Sequence, residues 1–188
     1  MALRVSFIFR WAVSILSVVI LFPSSGNAVQ SESKMQVEKT DIGPSGLPLP
    51  RFASLKSNRV NVRVGPDQSK YAVAWSYRRQ GLPVEIIQEY GNWRRIRDSD
   101  GDLGWVNQAL LSGRRMVVTV PWQKDKNQLQ SMRKKPAADA VLIAQVEPGV
   151  IGKIRQCNGE WCELEMGKSR GWLKQDQLWG VYPGEKIN

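Results

Sequence analysis

The chain has no histidine and only two cysteines. The first absence removes the commonest general base, together with the Ser-His and Cys-His nucleophile pairs. With no His to join them, Cys157 and Cys162 could close a zinc site only with carboxylates that no pattern sets beside them. The stretch Asn158-Gly159-Glu160-Trp161 between them is also longer than the two residues of a thioredoxin-like redox motif. No phosphate-binding Gly-Lys motif occurs. The acidic residues lie in turns or alternate with basic ones, so no glycosidase-like pair stands out. Asp98, Asp100 and Asp102 begin like a calcium loop but lack the later ligands and the distal Glu, and a hairpin turn is expected there. The sequence predicts a protein that is not an enzyme and carries no metal or cofactor.

Long apolar runs are equally scarce. The run from Trp11 to Phe22 follows Arg4 and Arg10 and precedes Gly26-Asn27-Ala28. That order of charge, apolar core and small residues predicts a signal peptide over residues 1–28, cleaved after Ala28. The run is short against the roughly 20 residues of a spanning helix, and a retained anchor is the alternative. The expectation is a periplasmic or secreted protein with no transmembrane span after cleavage. In such a compartment Cys157 and Cys162 read as a disulfide, worth roughly 2 kcal/mol for so short a loop. The net charge is +10, and loss of Arg4 and Arg10 with the signal leaves +8. Arg78-Arg79, Arg94-Arg95-Arg97 and Arg114-Arg115 could draw an exported protein to an anionic envelope surface rather than to nucleic acid. Scattered arginines that merely serve solubility are the alternative.

What the sequence does contain is a duplication. Gly91-Asn92-Trp93 leads to Ile96 and then to Gly104-Trp105-Val106; Gly159-Glu160-Trp161 leads to Leu164 and then to Gly171-Trp172-Leu173. Each copy reads as strand, turn, strand, with Gly at turns and Trp, Val or Ile on a pleated surface. Upstream, Val60, Val62 and Val64 alternate with Asn61 and Arg63, a strand with one buried face. Each unit is roughly 55 residues, marginal for a single core.

The paired Gly-x-Trp and Gly-Trp-aliphatic motifs, Val60-Asn61-Val62-Arg63-Val64-Gly65-Pro66 and Gly81-Leu82-Pro83-Val84-Glu85-Ile86 resemble the bacterial SH3-like (SH3b) domains. More narrowly, Gly43-Pro44-Ser45-Gly46-Leu47-Pro48-Leu49-Pro50-Arg51-Phe52 and the ending Leu178-Trp179-Gly180-Val181-Tyr182-Pro183 resemble secreted tandem SH3-like proteins of alphaproteobacteria. The resemblance implies an all-β fold of two tandem small SH3-like β-barrels, with a helical turn over Asn107 to Leu111. The second copy departs from it, with Met132-Arg133-Lys134-Lys135-Pro136 in place of the glycine-bearing loop.

The expected organisation is a disordered and Pro/Gly-rich lead-in over 29–50, a first domain over 51–120, a linker over 121–127 and a second domain over 128–188. Gly43 to Pro50 reads as a stiff, extended segment that spans or packs along the first domain. Met116 to Val120 reads as the closing strand of the first domain. The short linker suggests that the domains touch.

Function is then expected at the surface. Trp105 and Trp172 read as core members, whereas Trp75, Tyr77, Tyr90, Trp93 and Trp161, with Arg95, are the candidate ligand-binding residues. Strand parity sharpens this. Trp93 and Ile96 are three apart, as are Trp161 and Leu164, so a regular strand turns Trp93 and Trp161 outward if Ile96 and Leu164 are core. A β-bulge would return them inward. The functional expectation is a non-catalytic exported module that recognises peptidoglycan or an envelope protein peptide. The alternative is a structural adaptor that docks with a periplasmic assembly.

Overall fold

The structure is a computed structural model that describes residues 41–188. The expected signal peptide and most of the expected disordered stretch lie outside these residues. Within them the chain is strands joined by turns, with two short 3-10 turns and no helix long and apolar enough to cross a membrane. The first 3-10 turn, Gln108–Leu110, falls inside the expected helical turn and is capped by Asn107, whose side chain accepts from the Ala109 N–H at 3.0 Å.

A short hairpin of β1 (Asp41–Ile42) and β2 (Pro48–Leu49) comes first. The first domain follows with β3 (Arg51–Leu55), β4 (Val60–Arg63), β5 (Val73–Tyr77), β6 (Pro83–Tyr90), β7 (Trp93–Arg97), β8 (Leu103–Asn107) and β9 (Leu111–Ser112). The second has β10 (Met116–Thr119), β11 (Gln130–Arg133), β12 (Leu142–Val146), β13 (Ile151–Asn158), β14 (Trp161–Met166), β15 (Ser169–Lys174), β16 (Leu178–Trp179) and β17 (Lys186–Ile187). The first sheet runs β5-β4-β8-β7-β6-β3-β9 and the second β12-β11-β15-β14-β13-β10-β16, with β17 added against β13. Each strand of the first has its counterpart seven labels later, so the duplicated motifs are two copies of one antiparallel topology. Even the bulges coincide, between Ile86 and Gln88 in one copy and between Ile154 and Gln156 in the other.

Two sequence expectations need correction. Met116–Thr119 does not close the first domain: it pairs with β13 and β16, and Val117, fully buried, belongs to the second core. It is the counterpart of β3, and the second domain therefore begins near Met116 rather than at residue 128. The lead-in, in turn, is not extended over Gly43 to Pro50. Asp41 pairs with Leu49 and Ile42 with Pro48, and the turn between them is closed by Gly43 N–H donating to Leu47 O at 2.8 Å. A backbone with enough free donors and acceptors at a glycine turn satisfies them by folding on itself.

The alternation expected of β4 holds for Val60 and Val62, fully buried, against half-buried Asn61 and Arg63, but the strand ends at Arg63 after a register shift and Val64 is exposed. The Gly-Trp-aliphatic motif is explained by the same parity. Val106 and Leu173 are fully buried, and the glycine two residues earlier shares their face. A Cβ at Gly171 would lie 2.6 Å from Met132 Cγ, and one at Gly104 would meet Val62, so these glycines let strands cross against the core. Trp105 and Trp172, expected in the core, are consequently half-buried on the opposite face.

The domains touch through the two segments that carry the narrower resemblance. Phe52 packs edge-to-face on Trp179 at 5.2 Å and against Tyr182 at 4.7 Å, while the Arg115 guanidinium lies 5.9 Å from the Phe52 ring. The Tyr182 hydroxyl donates to Glu85 at 3.0 Å, and Arg97 pairs with the same carboxylate at 2.6 Å. Burial, reinforced by the Glu85 carboxylate, pushes the Tyr182 hydroxyl up, so it stays a donor. Gly180, at φ 116°, completes the junction: a Cβ there would collide with the Met116 carbonyl.

Candidate functional site

The bulge that decides where Trp93 points is on β6, not on β7. Ile96 pairs with Ile86, but Arg95 pairs with Gln88, so the extra residue is Ile87 and β7 itself stays regular. Arg94 and Ile96 face inward and are buried; Trp93 and Arg95 face outward and are half-buried. Across the sheet Trp93 stands between Tyr90 and Asn107, and Arg95 between Gln88 and Trp105. Trp105 in turn pairs with Arg63. Directly opposed residues on one face lie about 5 Å apart at Cβ, which makes Tyr90, Trp93, Arg95 and Trp105 one contiguous surface.

Arg95 differs from its strand neighbours in being uncommitted. Arg94 pairs with Glu89 at 3.2 Å and Arg97 with Glu85 at 2.6 Å, whereas Arg95 pairs with no carboxylate among the described residues. The cation–π contacts of the described residues are Arg115 with Phe52 and Lys174 with Trp161. The Arg95 guanidinium is thus free to meet an anion beside two indoles. Tyr90 is 64% exposed at the hairpin end and adds an accessible ring.

The other candidates do not join this surface. Trp75 and Tyr77 pair with Val62 and Val60, which puts them on the inner face of β5, packed against the first core. Their rings meet edge-to-face at 6.2 Å. The Tyr77 hydroxyl donates to Asp98 at 2.6 Å, and burial together with that carboxylate pushes its pKa up. Asp98 is itself a turn organiser, accepting from the Asp100 and Asp102 N–H groups at 3.0 and 2.9 Å, which accounts for the alternating aspartates. Trp161 does lie on the outer face of its strand, but it is only 6% exposed, with the Lys174 ammonium 5.6 Å from its ring. The ammonium lies over the indole that the sequence left open.

The second domain shows what a closed version of the surface looks like. At the counterpart of Arg95 stands Glu163, which accepts from Arg170 Nε at 2.8 Å, Arg170 Nη2 at 3.0 Å and Gln156 at 2.9 Å. The bidentate hydrogen bond from Arg170 holds the Glu163 carboxyl below its usual range. Of the two equivalent sheet faces, that of the first domain sets half-buried indoles beside an unpaired charge.

A third feature went unread in the sequence. Glu89, on β6 and 7% exposed, accepts from Ser45 N–H at 2.8 Å, Ser45 Oγ at 2.7 Å and Arg51 at 2.6 Å, and pairs with Arg94. Burial alone would raise its pKa, but these donors outweigh it and hold the carboxyl at about 2. Glu89 is the post to which the lead-in turn is tied. Elsewhere a shallow polar cleft of about 780 Å³ between the domains gathers Arg78, Arg79, Lys124 and Lys126 around a single acidic residue, Glu147. It places the Arg78-Arg79 pair of the sequence reading beside two lysines of the β10–β11 loop.

The Cys157–Cys162 disulfide is present as expected, with the two residues directly opposed and their Cα atoms 4.1 Å apart.

Comparisons with known proteins follow the same lines. No curated protein matches the chain. Similar solved structures include NlpC2 from Trichomonas vaginalis, at 14% identity and a TM-score of 0.31, covering 69% of this chain and 48% of that one. An NlpC/P60 family protein from Bacillus cereus is similar at 9% identity and a TM-score of 0.30, covering 68% of this chain and 55% of that one. The chain thus spans about half the length of these proteins. The family model described as "Bacterial SH3 domain" matches twice, over residues 56–113 and 126–180, each match falling on one of the two copies of the sheet. The chain belongs to the bacterial SH3 domain family, with two such domains in tandem.

Proposed function

We propose that this protein is an exported, non-catalytic binding module of the bacterial cell envelope that holds peptidoglycan on the outer face of its first domain. The observation that carries the reading is the unpaired Arg95 between Trp93 and Trp105, set against a second domain in which the equivalent position is neutralised by Arg170. Indole faces suit the apolar faces of sugar rings, and a free guanidinium suits a carboxylate, in a bidentate pair. Peptidoglycan carries both. The signal-like residues 1–28 support a periplasmic or secreted location, and the lack of His supports a non-catalytic role. The basic cleft at Arg78, Arg79, Lys124 and Lys126 would add attraction to an anionic surface without specificity.

The test is co-sedimentation of the protein lacking residues 1–28 with purified sacculi across a salt series. Binding that survives high salt and is lost in Trp93→Ala and Arg95→Ala supports the reading. Binding that salt abolishes, unchanged in both variants, reduces it to charge attraction. No binding at any salt favours the adaptor that docks with a periplasmic protein.

A further inference from the structure

Where β16 and the turn after it close on the first domain, a cleft of about 550 Å³ lies between the two. Its apolar lining includes Phe52, Trp122, Leu178, Trp179 and Tyr182. The volume is that of sites which enclose a drug-sized molecule or a few peptide residues.

Three properties narrow what the cleft takes. Trp122, on the β10–β11 loop, is 52% exposed, a large indole held in water at the cleft wall. Trp179, another wall residue, stands edge-to-face on Phe52 at 5.2 Å, so the wall is aromatic on both sides of the junction. The third property is charge. Of the cations lining the cleft, Arg97 is committed to Glu85 at 2.6 Å and the Lys174 ammonium sits 5.6 Å from the Trp161 ring. The Glu160 and Asp176 carboxylates line the same cleft and pair with no cation among the described residues. With Glu85, Glu160 and Asp176 set against Arg97 and Lys174, the lining is net negative, on a chain whose net charge is +10.

We propose that this cleft is a second binding site, separate from the outer face of β7, for an extended peptide segment with an aliphatic or proline side chain next to a lysine or arginine. The apolar side chain enters among Trp122, Trp179 and Tyr182, and the basic side chain meets Glu160 and Asp176. A peptide brings both groups on one short backbone. An anionic glycan is opposed by both carboxylates.

The experiment is titration of the protein lacking residues 1–28 with a panel of acetylated, amidated octapeptides, followed by tryptophan fluorescence and calorimetry. Leu-Pro or Val-Pro cores carry flanking lysines in one half of the panel and glutamates in the other. The lysine peptides should bind about tenfold more tightly than the glutamate ones, a difference of about 1.4 kcal/mol. Trp122→Ala should weaken them by a similar factor, Glu160→Gln with Asp176→Asn should erase the preference, and Trp93→Ala should change nothing. No binding by any member, equal binding of both halves, or loss in Trp93→Ala but not in Trp122→Ala each overturns the proposal. Sacculus binding tests the outer-face reading separately. Its failure with peptide binding intact removes that reading alone, and the reverse result removes this one alone.

Discussion

In the first domain Glu89 stands opposite Arg94; at the same place in the same hairpin of the second, Cys157 stands opposite Cys162. One position is a buried ion pair and the other a covalent bond, and the surroundings differ accordingly. A buried charge pair is stable only when its remaining donors and acceptors are met. Glu89 is met by Ser45 and Arg51, and Arg94 by the Gly91 and Trp93 carbonyls at 2.8 and 2.9 Å and by Gln108. The first domain has therefore drawn in the lead-in turn to complete its polar core. The disulfide asks for nothing of the kind. Cys157 and Cys162 are 4% and 0% exposed among apolar neighbours, and the segment that covers this hairpin, β17, adds by backbone pairing and by packing Ile187 on the core, with no ion pair among the described residues. Gln175, the counterpart of Gln108, donates to the Cys162 sulfur at 3.6 Å and to the Glu185 carbonyl at 2.7 Å.

The largest effect should come from removing the carboxylate. Glu89→Ala leaves the Arg94 guanidinium, with a side chain 8% exposed, without its counter-ion, and should cost about 3–5 kcal/mol by urea denaturation. It should also free the lead-in, raising proteolysis near Ser45. A cost below 1 kcal/mol would mean that the hairpin, not the ion pair, holds this end of the domain.

Acid should act on the same group. The Glu89 carboxyl is held at about 2 against an ordinary value of 4.5, so its contribution is complete above pH 4.5 and is lost as pH falls toward 2. That contribution is on the order of 3 kcal/mol. Glu163 is held low as well, by Arg170, so the informative measurement is a difference. Glu89→Gln should lose distinctly less stability than the unaltered protein between pH 5 and pH 2. Parallel curves for the two proteins would remove Glu89 from the acid response.

Replacing Cys157 and Cys162 together by Ala should cost about 2 kcal/mol, localised by hydrogen exchange to β13 and β14, with β6 and β7 still protected. Equal loss of protection in both domains would show that the junction at Phe52, Trp179 and Tyr182 makes them unfold as one.

The smallest effect belongs to Trp93→Ala, about 1 kcal/mol for a half-buried indole on the outer face. A cost of several kcal/mol, the scale of a truncated core Trp, would show that the indole is packed after all and would withdraw it from the binding surface.

Most of the architecture was legible because it rests on local rules. Period-two alternation marked β4, the Gly-x-Trp and Gly-Trp pairs marked the repeated hairpins, and two cysteines in one hairpin of an exported chain read as a disulfide. The site was legible in part. Parity put Trp93 and Arg95 outward, and β7 is regular; the same rule applied from Val106 would have turned Trp105 outward too, where its apolar character suggested core. Trp75 and Tyr77 were misjudged because β5 carries no clear alternation of its own, and only its pairing with Val60 and Val62 shows which face is inner. Met116–Thr119 was given to the first domain because it follows β9 closely in the chain, although its partners lie in the second.

By itself the sequence determined the duplication, the strands and turns, the disulfide and the outward face of β7, since each follows from side-chain period, glycine positions or short separations. The tertiary structure decided which sheet Met116–Thr119 joins, that the Lys174 ammonium lies over Trp161 while Trp93 stays open, and that Ser45 completes the shell of Glu89. It also decided that Phe52 meets Tyr182 across the domains. These are contacts between residues distant in the chain, and no local pattern encodes them: a side chain's neighbours on the far side of a fold are set by how whole sheets pack, not by the residues beside it.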